Sequence, residues 1–138
     1  MGDHDAEIDG LIDEHRDLMT IMATLERAVG DLGSDADQLL DQLETSLSHH
    51  TVREESGLFH VLRQVDVPAE YVGLFEHDHE HVVELIHSAR SNHQRVAELL
   101  KSLEVHMARE ENDMFPAAEQ LLGPADWDAV RSAVADVR

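Results

Sequence analysis

Apolar residues recur at three- and four-residue intervals through four long runs of this 138-residue chain, and only 7 glycines and 3 prolines interrupt them. That period belongs to an amphipathic helix. The first run spans about 5–29, with Ile8, Leu11, Ile12, Leu18, Met19, Met22 and Leu25 on one stripe. After the break GDLGSDAD, where Ser34 or Asp35 suits a helix cap, the second continues to about Gln64 through Leu39, Leu40, Leu43, Leu47, Leu58, Val61 and Leu62. Pro68 marks the start of the third, about 69–89, carrying Val72, Leu74, Phe75, Val82, Leu85 and Ile86. The fourth covers about 92–122 with Val96, Leu99, Leu100, Leu103, Met107, Met114 and Leu121, and Gly123 and Pro124 end it. Short connections between such helices predict an all-α fold, an up-down-up-down four-helix bundle over 5–122. A short C-terminal fifth helix over about 124–137, docked through Trp127, completes one domain across 1–138.

The stripes are not apolar throughout. Each turns polar once near mid-helix, with apolar residues on both sides. His15 fills the gap on the first helix, His50 and Glu54 on the second, His77 and His81 on the third, and His106 and Glu110 on the fourth. In an antiparallel bundle these mid-helix positions meet at one level, so five imidazoles and two carboxylates converge. Residues four apart share a helix face, which lets each His-x-x-x-Glu or His-x-x-x-His offer two ligands to one site. His4, His49, His60, His79, His87 and His93 fall outside that phase and read as surface or boundary positions. Glu55 and Glu111, one residue past the expected ligands, read as outer partners or solvent-facing.

Two carboxylates buried without partners would cost several kcal/mol each. No basic residue falls on the inner stripes, so a pair of metal ions is the expected compensation. The chain has no cysteine, which excludes thiolate and disulfide chemistry and leaves nitrogen and oxygen as ligands. That donor set suits iron, with manganese or zinc as competitors. A formal charge of −20, from 30 acidic and 10 basic residues, argues against nucleic-acid and anionic-membrane partners. The opening MGDHDAEIDG lacks the basic-then-apolar layout of a signal peptide, and no apolar run reaches membrane-spanning length, so a cytoplasmic protein is expected.

The order His15, His50-x-x-x-Glu54, His77-x-x-x-His81, His106-x-x-x-Glu110, with the local wording DEHRDL, HHTVREE and HMAREENDMFP, resembles the hemerythrin family in its bacterial hemerythrin-like branch with the HHE cation-binding signature. The resemblance implies a non-haem di-iron centre in which Glu54 and Glu110 bridge two iron ions together with an oxo or hydroxo group. It implies dioxygen, peroxide or nitric oxide as the small ligand, for transport, sensing or protection, in a monomer or homodimer. Di-iron catalase-like peroxide disproportionation, and iron storage or iron sensing without dioxygen chemistry, are the alternatives. One departure separates the chain from the oxygen carriers, whose last pair is His-x-x-x-x-Asp. Here the four-residue spacing lands on Glu110 and the five-residue spacing on Glu111. Met19, Met22 and Leu58 are expected to keep the ligand pocket apolar.

Overall fold

The computed structural model describes residues 6–29, 35–65 and 67–136. His4, expected at the surface, and Ser34, expected as a cap, lie outside them. The described chain is all-α. Helix α1 is Ala6–Val29. Helix α2 covers 36–62 and is α-helical over Ala36–Arg53, π-helical over Glu54–Phe59 and α-helical again over His60–Leu62. Helix α3 is Ala69–Ser91. A single 3₁₀ turn, His93–Arg95, leads into α4, residues 96–121, which is π-helical over Glu110–Met114 between Val96–Arg109 and Phe115–Leu121. Helix α5 is Pro124–Asp136. No described helix is long and apolar enough to cross a membrane.

Local chemistry explains the joints. Asn92 is extended, with φ −150° and ψ 97°, and its side chain accepts from the Gln94 backbone N–H, so it ends α3 and caps the next turn. Asp35 precedes α2 but makes no side-chain cap bond to the described residues. Pro116 lacks the N–H that an α-helix interior needs; it stands in the first turn after the π-helical segment of α4, where the ordinary ladder is already interrupted.

Helix α1 packs on α2 and α4, and α3 packs on α4 and α2, so each of the four long helices has two such neighbours. Helix α5 lies across the π-helical turn of α2 and touches α1. Two apolar clusters fill the interior. One gathers Leu18, Leu25, Leu40, Leu47, Ile86 and Leu103; the other gathers Ile8, Leu58, Phe59, Val72, Phe115 and Val130. Burial of such side chains is worth roughly 1.5–3 kcal/mol each and dominates the stabilisation of the fold. The buried polar residues lie in neither cluster: His15, His50, Glu54, His79, His106 and Glu110.

Candidate metal centre

Those six side chains form one polar group. His15 comes from α1, His50 and Glu54 from α2, His79 from α3, and His106 and Glu110 from α4. They divide into two sets able to hold a metal ion: His15, His50, Glu54 and Glu110, and His79, His106, Glu54 and Glu110. The imidazoles pair accordingly, with ring centroids 4.7 Å apart for His15 and His50 and 4.6 Å for His79 and His106.

Both carboxylates face both pairs. Glu54 Oε1 lies 3.0 Å from His79 Nε2 and its Oε2 lies 3.6 Å from His50 Nε2. Glu110 Oε1 lies 3.0 Å from His15 Nε2 and its Oε2 lies 3.3 Å from His106 Nε2. Each glutamate therefore presents one oxygen to each side, as a carboxylate shared by two ions must. The four-residue step from His50 to Glu54, and from His106 to Glu110, stacks the two groups on one face. A π-helical turn then begins at each glutamate. Such turns re-aim side chains at functional sites.

The outer ring nitrogens are all engaged by carboxylates. Nδ1 of His15 meets Glu111 at 2.7 Å, and that of His50 meets Glu14 at 2.8 Å. Nδ1 of His79 meets Glu55 at 2.8 Å, and that of His106 meets Asp78 at 3.2 Å. A carboxylate accepts the Nδ1–H and so fixes the tautomer that leaves the Nε2 lone pair pointing inward. Two aromatic rings cover the group. Phe59 stacks on His79 with ring planes 4° apart, and Phe115 stacks on His15 at 21°.

The inward atoms are poorly satisfied by the protein itself. Glu54 Oε1 and Oε2, His79 Nε2, His106 Nε2 and Glu110 Oε2 are buried with no hydrogen-bond partner among the described residues, despite their short mutual distances. Orphaned polar atoms at this depth cost about 1–3 kcal/mol apiece. Their convergence from four helices fits cation ligation, and the absence of sulfur fits a metal content with nitrogen and oxygen ligands.

Protonation points the same way. Burial works to lower the His50 pKa, but the Glu54 charge and the bonds to Glu110 and Glu14 raise it to about 10. Burial likewise opposes, and Glu110, Glu54 and Glu55 overcome, in His79, which is pushed up to about 12. Burial and the neighbouring Glu110 charge lift Glu54 to about 7. Glu110 resists the upward pull of burial and is held well below the usual carboxylate range by Glu54, His106, His15 and His50. These shifts favour bound protons in the cluster, which a multivalent cation would have to displace.

The structure brings His15, His50, Glu54, His106 and Glu110 together and leaves His77 and His81 on the outer face of α3, both exposed. His79, expected at the surface, is buried in their place at 3 % exposure. The inner stripe of α3 runs Val72, Phe75, His79, Val82, Ile86, whereas Leu74, which leads toward His77, is 63 % exposed. A signal for His79 does exist in the sequence. The acid–histidine pair Asp78–His79 echoes Glu14–His15, and both acids brace a histidine on the following long helix, His106 and His50 respectively. Glu55 and Glu111 are the outer partners of His79 and His15. Met19, expected beside the pocket, is 52 % exposed, while Met22 and Leu58 are buried.

A family model described as the hemerythrin HHE cation binding domain matches residues 6–118. No curated protein and no solved structure matches the chain.

Proposed function

Since the chain belongs to the hemerythrin HHE cation-binding domain family, we propose that it is a non-haem di-iron protein that binds dioxygen or a related small ligand, peroxide or nitric oxide. Its scaffold in this reading is an up-down-up-down four-helix bundle with α5 appended. His15 and His50 would hold one ion and His79 and His106 the other, with Glu54 and Glu110 offering an oxygen to each. The observation that carries the reading is the pattern of nitrogen atoms: four imidazoles braced from outside at Nδ1, with Nε2 directed at two shared carboxylates.

When bound, an iron pair supplies the electrons with which dioxygen or its relatives are captured. The residues supply everything else. Glu111, Glu14, Glu55 and Asp78 keep each imidazole in the ligating tautomer and increase its basicity. The bridging glutamates neutralise cation charge at a depth where water does not reach them, both being 0 % exposed. Phe59, Phe115 and Phe75, whose edge meets His106, wall the group with apolar surface and exclude competing water.

The direct test is metal analysis of the purified protein with absorption spectra in both oxidation states. The expected outcome is two irons per chain and a charge-transfer band that responds reversibly to dioxygen, peroxide or nitric oxide. Protein containing zinc alone, or fully iron-loaded protein indifferent to all three ligands, would contradict the proposal.

A further inference from the structure

Phe75 stands between the polar centre and the surface. Its ring meets His106 edge-on with centroids 6.2 Å apart, and meets Phe59, which stacks on His79, at 6.4 Å. On its other side it meets Tyr71 at 5.4 Å, one turn earlier on α3. A continuous file of rings in contact therefore runs from His79 and His106 to a partly exposed phenol. The other imidazole pair has no such file: Phe115 stacks on His15 and, among the described residues, touches no further ring.

Tyr71 is the only tyrosine of the chain and Trp127 the only tryptophan. In a chain without cysteine, these two side chains lose a single electron most readily. Trp127 makes no ring contact among the described residues, so Tyr71 alone is joined to the centre by aromatic contacts. Its hydroxyl donates to Asp113 Oδ1 at 2.6 Å. Asp113 stands on the π-helical turn of α4 that begins at Glu110. Such an acceptor matters because a phenol that loses an electron becomes a strong acid and sheds its proton with it. Burial and Asp113 hold the phenol pKa above its ordinary value of 10, so that proton is still present at neutral pH. Beside the same two groups opens an apolar cavity of about 270 Å³, walled also by Leu62, Val67, Pro68 and Leu121. It suits a single aromatic ring, with the second oxygen of Asp113 left for a hydroxyl.

We propose that Tyr71 is a one-electron donor to the centre during peroxide reduction, and that a small phenol of the hydroquinone class, seated in this cavity, restores it. The inference rests on the di-iron reading and adds to it a redox residue and a class of reductant. In each step the Tyr71 O–H bond breaks. The proton passes to the Asp113 carboxylate, the electron passes by way of Phe75 to the centre, and a neutral phenoxyl remains. Two such steps supply the two electrons, and by way of solvent the two protons, with which hydrogen peroxide becomes two waters. Hydroquinone gives a hydrogen atom to the phenoxyl after each step and leaves as its own one-electron oxidised form.

The test mixes iron-loaded protein with hydrogen peroxide and freezes it rapidly for electron paramagnetic resonance, with iron content and helicity measured for every variant. The wild type is expected to give a phenoxyl signal that narrows when the protein is grown on ring-deuterated tyrosine and disappears in Tyr71→Phe. Trp127→Phe should keep the signal, and Phe75→Leu, which removes the intervening ring, should lower its yield at unchanged iron content. Asp113→Asn should slow its formation by on the order of 100-fold, because no carboxylate then takes the proton. Hydroquinone should quench the signal and be consumed in step with peroxide in the wild type but not in Tyr71→Phe. Iron-loaded wild type that gives no phenoxyl, or a radical and hydroquinone consumption that survive Tyr71→Phe, would overturn the relay and leave the di-iron reading intact. A wild type that takes up no iron would remove that reading, and the relay with it.

Discussion

Each central imidazole is fixed by two contacts, and the outer one decides which nitrogen faces inward. For His79 the outer partner is Glu55 at 2.8 Å and the inner neighbour is Glu54 at 3.0 Å. Two predictions belong to this scale. His79→Ala should lower bound metal from two ions per chain to one or none, while His77→Ala and His81→Ala, at exposed positions, should retain both; metal analysis of refolded, helical protein decides. Glu55→Gln keeps the shape but loses the carboxylate charge that polarises the ring, and should weaken metal binding by about 10–100-fold, read by competition with a chelator. The same scale shows why His79 escaped a reading by spacing. Helix α3 offers two stripes: Leu74, His77, His81, Leu85 is the richer in histidine, whereas Val72, Phe75, His79, Val82, Ile86 is the one without an interruption by an exposed apolar residue. His15, His50, Glu54, His106 and Glu110 were legible because the apolar stripe on either side of each is unambiguous.

At the scale of elements, α2 and α4 carry the same device. In HTVREESGLF and HMAREENDMF a histidine, an arginine, two glutamates and a phenylalanine recur in register, and both segments turn π-helical from the first glutamate. At the end of each turn an adjacent apolar pair, Leu58–Phe59 in one and Met114–Phe115 in the other, is buried. Periodicity does not reveal such a turn, because an apolar pair fits a 3.6-residue repeat almost as well. It does reveal the helices themselves, and the Asn92 joint is placed by its capping chemistry. The two turns differ where α5 lies against α2. Gly57 leaves no space for a side chain beside Val134, so Gly57→Ala should displace α5 and cost about 1–3 kcal/mol. Chemical denaturation measures the loss, and an unchanged midpoint would show that α5 does not press on the turn.

For the whole molecule, the raised His50, His79 and Glu54 values tie stability without metal to bound protons. His50 at about 10 and His79 at about 12 lie above the ordinary histidine value of 6.5, so their stabilising contribution is full below about pH 6.5 and drains as pH rises through those values. Glu54, raised to about 7, acts in the same direction: its contribution is present below 4.5 and is lost as pH passes 7. Glu110, lowered, contributes a constant amount at every pH above 4.5. Metal requires those protons to leave, so its own stabilisation grows with pH. The melting temperatures of loaded and stripped protein should therefore move apart between pH 6 and pH 9, by at least about 3 °C. Metal uptake at neutral pH should release protons into a weakly buffered solution. A gap that narrows with rising pH would mean that the cluster is not the place where the metal binds.

The central claim is that two cations share Glu54 and Glu110. Diffraction from crystals of the purified protein, with anomalous data collected on both sides of the iron absorption edge, tests this most directly. Two peaks are predicted, one against His15 and His50 and one against His79 and His106, each within bonding distance of both carboxylates. A single peak, peaks at His77 or His81, or a cluster closed only by hydrogen bonds would contradict it.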